Sequence, residues 1–206
     1  MQAYEDQWVS LGDLIYLHEE TSGTVGAEGF TDPRVCCFNG NDGYEFGRDC
    51  TFKLLPQQMY TMAKQLKQVS ESLAPEKLAQ LTEEARRERA HNESEVATSA
   101  GRSLRYGKIV QLQHTSSGSL VSVSPMASES NRDARRVLAS ETFDGEATWF
   151  KIMPKLRVHT EGEKVRATVH ACVCTSGTRC LHDRVSCVFS GELACRAIDM
   201  RACMRI

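Results

Sequence analysis

Six of the chain's nine cysteines lie between Cys172 and Cys203, in the densest grouping of soft metal ligands it has. His170, Cys172, Cys174, Cys180, His182 and Cys187 are the residue types that hold zinc, which takes four nitrogen or sulfur donors at roughly 2.0–2.3 Å. Structural zinc sites commonly present cysteines in CxxC pairs, and none occurs here. Cys172 and Cys174 flank Val173 on a strand-like run, so their thiols share one face. Small apolar thiols filling a core are the simpler reading, and no metal ligand is assigned. Cys36 and Cys37 are adjacent, so on a strand they point to opposite faces and form no easy mutual disulfide. They read as buried strand residues.

Acid–base and phosphate chemistry meet the same test. His18 and His114 close two strand-like runs, but no G-x-S-x-G elbow, H-E-x-x-H pair or P-loop accompanies them. Each reads as a satisfied polar residue beside a turn. Asn39-Gly40-Asn41-Asp42-Gly43 lacks the spaced carboxylates and closing Glu of a calcium loop and reads as a turn. Arg86, Arg87 and Arg89 are interleaved with Glu83, Glu84 and Glu88, the composition of a solvated helix face. Arg132, Arg135 and Arg136 form a surface patch suited to an acidic neighbour or a phosphate. The expectation is a non-enzyme with no catalytic residue and no cofactor, and its ligand-binding residues are left unassigned.

Composition sets the wider bounds. The chain has 206 residues, 41% hydrophobic and 25% charged, the size and make-up of one domain with an appendage. Its 25 Lys and Arg against 27 Asp and Glu give a net charge of −2, which argues against a nucleic-acid binder working through a basic field. No apolar run approaches the roughly 18 residues of a membrane span. Met1 to Asp6 lacks the basic-then-apolar order of a signal peptide, so the thiols are expected to be reduced.

The elements that position these residues repeat three times. Gly12, Gly107 and Gly162 each precede a run whose third and fifth positions are apolar: Ile15 and Leu17, Val110 and Leu112, Val165 and Ala167. Period two marks a half-buried strand. Small polar turns follow at Gly23, Gly118 and Gly177. Phe52-Lys53-Leu54, Phe150-Lys151-Ile152 and Met204-Arg205-Ile206 then close the units as apolar–basic–apolar strands. Three strand-rich units, none able to bury its face alone, suggest a β-trefoil, with another barrel or a sandwich as rivals. Between units one and two, Met59, Met62, Ala63, Leu66, Val69 and Leu73 recur at helical spacing. Pro75 sits at a second helix start, Leu78, Leu81 and Ala85 continue the stripe, Glu83 and Arg87 pair at i,i+4, and Gly101 ends the run. The Met/Leu stripe reads as the seam of a helical hairpin inserted into an all-β body.

Several of these runs match a known family. Gly47 through Leu54 with Pro56, Tyr60 and Ala63-Lys64-Gln65, then Leu104 through His114, then Trp149 through Ile152 with Pro154 through Arg157, resemble the cytosolic N-terminal domain of inositol trisphosphate receptors. Glu161 through Arg166 resembles the matching part of ryanodine receptors. The resemblance runs from Trp8 to Ile206. It implies one β-trefoil with an inserted helix-turn-helix arm, divided as lobe one 8–55, arm 56–100, lobe two 101–158 and lobe three 159–206. It further implies a suppressor-type regulatory domain of an intracellular calcium-release channel, on the cytosolic face of the endoplasmic reticulum membrane. The implied partners are the adjoining inositol-phosphate-binding domains and the neighbouring subunits of a homotetramer, with no nucleic acid and no membrane insertion by this segment. The family's ligand pocket lies in the following two domains, so the resemblance carries no ligand residue onto this chain. Two alternatives stay open: a stand-alone carbohydrate-type trefoil, with Tyr16 as its stacking residue, and a zinc-dependent module.

Overall fold

Leu14–Glu19 alternates as a half-buried strand must: Ile15 and Leu17 are buried, Leu14 is exposed and Tyr16 is half-buried. This is β1 of the computed structural model, which describes residues 8–19, 23–27, 32–38, 48–69, 74–128, 135–140, 145–154, 159–166, 171–175 and 203–205. The strands that follow are β2 Gly23–Ala27, β3 Val35–Phe38 and β4 Thr51–Pro56. Two helices come next, α1 Thr61–Val69 and α2 Pro75–Ser99. The remaining strands are β5 Ile109–His114, β6 Leu120–Ala127, β7 Arg135–Ser140, β8 Phe150–Pro154, β9 Ala171–Thr175 and β10 Cys203–Arg205. The body is all-β and the helices are an insertion between β4 and β5.

Every strand pairing among the described residues is antiparallel. One path of neighbours runs β3-β2-β1-β4-β5-β6-β7, while β8 joins β5 to β9 and β10 lies on β1. The inner faces supply one apolar cluster containing Val9, Ile15, Leu17, Phe52, Leu54, Leu104, Leu112, Phe150, Ile152 and Val165. Each such side chain contributes about 1.5–3 kcal/mol when fully buried.

Three backbone hydrogen bonds form a ring where the units meet. Val9 N–H donates to Val165 C=O (2.9 Å), Val165 N–H to Leu104 C=O (2.9 Å), and Leu104 N–H to Val9 C=O (2.7 Å). All three side chains are buried. This ring corrects the repeat register of the third unit. Val9 and Leu104 lie three residues before Gly12 and Gly107, but Val165 lies three residues after Gly162. The partners agree: Gly12 N–H donates to Leu54 C=O and Gly107 N–H to Ile152 C=O. Gly162 N–H instead donates to Tyr106 C=O, as Gly101 N–H donates to Leu11 C=O. Gly162 is therefore the counterpart of Gly101, and the third counterpart of Gly12 is residue 168, outside the described residues. All four glycines have φ between +79° and +93°, so two different turns make the same demand on residue type and sequence spacing alone confuses them.

The closing strand of unit three shifts likewise. Met204 stands opposite Leu17, as Leu54 stands opposite Leu112 and Ile152 opposite Val173. Met204 thus matches Leu54 and Ile152 rather than Phe52 and Phe150. No helix among the described residues is long and apolar enough to cross a membrane.

Candidate functional site: the joint between arm and sheet

The arm is built as the sequence suggests at its outer end. Pro75 occupies the first turn of α2, where its missing N–H costs nothing, and Gly101 follows the helix with φ +79°. Leu78, Leu81 and Ala85 are half-buried, and α2 packs on α1, where Met62, Ala63 and Leu66 are half-buried. Glu83 takes both Arg86 (2.8 Å) and Arg87 (3.1 Å) on the solvated face, and these two guanidiniums hold its carboxyl down at about 2. The side chain of Val69 and all of Leu73 lie outside the described residues.

Beyond Ala85 the same face continues with polar residues. Leu78, Leu81, Ala85, Glu88, Asn92, Glu95 and Ser99 follow spacings of three and four, and all are buried or half-buried. This stripe is what a purely apolar pattern overlooks. Glu88, read from sequence as part of a solvated face, instead reaches the N-terminus of α1. Its carboxylate accepts from Met62 N–H (3.1 and 3.2 Å) and Ala63 N–H (3.3 Å). The first turn of α1 contains no acidic residue, so Glu88 supplies from another helix the capping charge that orphan N–H groups favour.

Asn92 grips the segment that enters α1. Its Nδ2 donates to Met59 C=O (2.7 Å) and its Oδ1 accepts from Met59 N–H (3.0 Å), while the side chain is only 8% exposed. Met59 thus lies before the helix rather than in its stripe, and its own side chain is 44% exposed. From the sheet side, buried Gln111 on β5 completes the joint. Its Oε1 accepts from Gln58 N–H (3.1 Å) and its Nε2 donates to Thr148 Oγ1, while Tyr60 O–H donates to Gln58 Oε1 (2.7 Å) and lies 3.4 Å from Gln111 Oε1. Thr148 passes its own proton to Gly145 C=O (2.8 Å), and Trp149 Nε1 donates to Gln58 C=O (3.0 Å). Burial raises the Tyr60 phenol above its ordinary range, so the ring keeps the proton it donates. A buried polar network satisfied in this way permits one geometry, because any other leaves several groups unpaired.

The other sequence candidates scatter. His114 is fully buried at the end of β5 beside the Ser117–Ser119 turn, as expected of a satisfied polar residue. Its Nε2 lies 3.1 Å from the Asp49 carbonyl, which only accepts, so that nitrogen carries the hydrogen, and Nδ1 accepts from Ser117 O–H (2.9 Å). Of His18 only the backbone in β1 is described. Cys36 and Cys37 are half-buried on β3 rather than buried, and Cys50 is buried with its thiol pushed up by desolvation. Of Cys172 and Cys174 only the backbone register of β9 is described. His170, Cys180, His182, Cys187, the Asn39–Gly43 turn and Arg132 lie outside the described residues. Arg135 and Arg136 bind the carbonyls of Pro125 and Ala127 on the neighbouring strand, so they brace β6 against β7. Trp8, not singled out in the sequence, lies under Lys164 (5.5 Å) and Arg166 (5.0 Å).

An all-β body with a helical insertion keyed into it by buried amides defines a class: a domain that holds an arm in one orientation. The comparisons make the class specific. The family model described as "Inositol 1,4,5-trisphosphate/ryanodine receptor" matches residues 4–187. The inositol 1,4,5-trisphosphate receptor itr-1 of Caenorhabditis elegans is 32% identical over 178 residues, which cover 76% of this chain and 6% of that protein. The chain belongs to the inositol 1,4,5-trisphosphate/ryanodine receptor family. It spans a small fraction of the length of that relative.

Proposed function

We propose that this chain is the N-terminal regulatory domain, of suppressor type, of an intracellular calcium-release channel. It acts without catalysis, by packing on the adjoining inositol-phosphate-binding domains and on neighbouring subunits of a homotetramer at the endoplasmic reticulum. The observation that carries the reading is the family match across residues 4–187. Its fold in this reading is a β-trefoil with the arm at 56–100 and lobes at 8–55, 101–158 and 159–206. Support for the trefoil comes from the cyclic strand pairing, in which β4 meets β5, β8 meets β9 and β10 returns to β1. The joint suits a transmitting role: an arm held by Asn92, Glu88 and Gln111 moves with the sheet, so a contact at one is felt at the other. The stand-alone carbohydrate reading loses its stacking platform, since Tyr16 is half-buried and two cations already lie against the Trp8 ring.

The test compares inositol trisphosphate binding by the full-length protein with and without residues 1–206. A coupling of about 1–3 kcal/mol predicts that deletion raises affinity by about 5–150-fold. Equal affinity for the two proteins rejects the regulatory role.

A further inference from the structure

A cleft of about 800 Å³ separates the C-terminal half of α2 from the ends of β4 and β5. Its volume falls within the roughly 300–1,000 Å³ of small-molecule sites. Four cations line it: Arg102, Arg105, Lys108 and Lys164. Among the described lining residues Glu95 is the one carboxylate, and it accepts a hydrogen bond from Ser99 O–H (2.7 Å). In a chain of net charge −2, this is a local reversal of sign.

The cations are not there to neutralise one another's neighbours. Arg105 and Lys164 stand directly opposite across an antiparallel bridge, and like charges so placed repel. Arg105 Nη1 donates to the neutral Gly162 C=O (2.6 Å), and Lys164 lies over the Trp8 ring. The nearby carboxylates are engaged elsewhere: Glu161 with Lys151 (2.7 Å), and Glu163 with Thr160 (2.9 Å) and His159 (3.1 Å). Among the described residues, no carboxylate pairs with any of the four. Arg102 follows the C-terminus of α2, where a cation is favourable on its own account, but the other three have no helix end to answer. Half-buried Leu11 and Ile109 give the cleft an apolar floor, laid over the fully buried Leu104 and Val110.

We infer that this cleft is a binding site for a phosphate-bearing anion, either a free polyphosphate or the phosphate headgroup of a lipid. Guanidinium forks and ammonium point charges take phosphate oxygens, and the apolar floor takes any carbon body that carries them. Bound phosphate would relieve the repulsion between Arg105 and Lys164. The inference goes beyond the regulatory reading and stands or falls separately from it.

The test is calorimetric titration of the purified 206-residue chain with inorganic tripolyphosphate, beside flotation with phosphatidylcholine vesicles that contain or lack phosphatidic acid. Saturable binding to either is expected, weakened about tenfold or more by the Arg105→Glu, Lys108→Glu double variant, as expected for loss of several charge-assisted contacts. Lys67→Glu, on exposed α1, is expected to leave affinity within about twofold of the parent, as a screened surface charge should. Binding to tripolyphosphate assigns a free phosphate ligand, and binding to the acidic vesicles alone assigns a lipid headgroup. If the double variant fails to fold, Lys108→Gln and Lys164→Gln singly carry the test, each weakening binding by about threefold or more. Absence of binding in both arms, or equal loss in Lys67→Glu, overturns the site.

Discussion

Asn92→Ala is the sharpest probe of the joint. The substitution deletes both hydrogen bonds to Met59, at 3.0 and 2.7 Å, and leaves that residue's N–H and C=O without their partner at a site where Asn92 was only 8% exposed. Two net hydrogen bonds contribute about 0.5–1.5 kcal/mol each, and a stranded buried backbone group adds about 1–3 kcal/mol. Partial access of water to Met59, whose side chain is 44% exposed, argues for the lower part of that range, so the expected loss is about 2–4 kcal/mol. In a chain of this size, each kcal/mol moves the midpoint of thermal unfolding by about 2–4 °C. The assay is urea or thermal unfolding, combined with amide exchange resolved at Met59, Met62 and Ala63. Exchange at these amides should rise in the variant even well below the unfolding transition, because α1 loses its tether before the sheet opens. His91→Ala, on the exposed neighbouring position, should stay within about 0.5 kcal/mol of the parent. An Asn92→Ala variant matching the parent in stability and in exchange at these amides would refute the joint as the arm's anchor.

Two further outcomes follow from packing and titration. A Cβ on Gly26 of β2 would meet Asp49 C=O at 2.7 Å and both Cys50 Sγ and Phe38 Cε2 at 2.8 Å, so Gly26→Ala should cost about 1–3 kcal/mol by overpacking, read by urea unfolding. Gly118→Ala, where nothing lies within 4 Å but φ is +71°, should report backbone strain alone. Burial holds the His114 imidazole below its ordinary value of 6.5, outweighing the raising effect of Asp49. The unfolded chain then takes up this proton first. Stability should therefore be complete above pH 6.5, fall as pH drops below it, and level off once the folded pKa is passed. His114→Gln should flatten that acid limb in unfolding measured across pH, and an unchanged limb would show that His114 does not produce it.

Much of the architecture is local enough to be written in the sequence. Alternation at Ile15 and Leu17 specifies a strand with one buried face, because side chains alternate across a pleat, whereas on β5 Gln111 is buried along with Val110 and Leu112, so both faces are covered there. Pro75 and Gly101 bracket the second helix through constraints on their own φ. The solvated pairing of Glu83 with Arg87 follows from helical spacing alone. What those patterns cannot carry is which distant groups meet. Glu88 looks like one more surface acid until α1 folds back over it, and Asn92 and Gln111 look like polar interruptions until Met59 and Gln58 arrive from elsewhere in the chain. The third unit's register depended on telling two glycine turns apart, and both demand the same positive φ. Long-range backbone bonds separate them: the partners of the glycine N–H groups, and the ring through Val9, Leu104 and Val165, which joins segments about sixty to one hundred and fifty-six residues apart. The cleft has the same origin: Arg105 and Lys164 are ordinary surface cations in sequence, and strand pairing sets them side by side with no carboxylate between them. Local sterics and periodicity thus determined the elements from sequence alone, while the joint and the cleft were decided by long-range hydrogen bonding and charge placement that exist only in the folded chain.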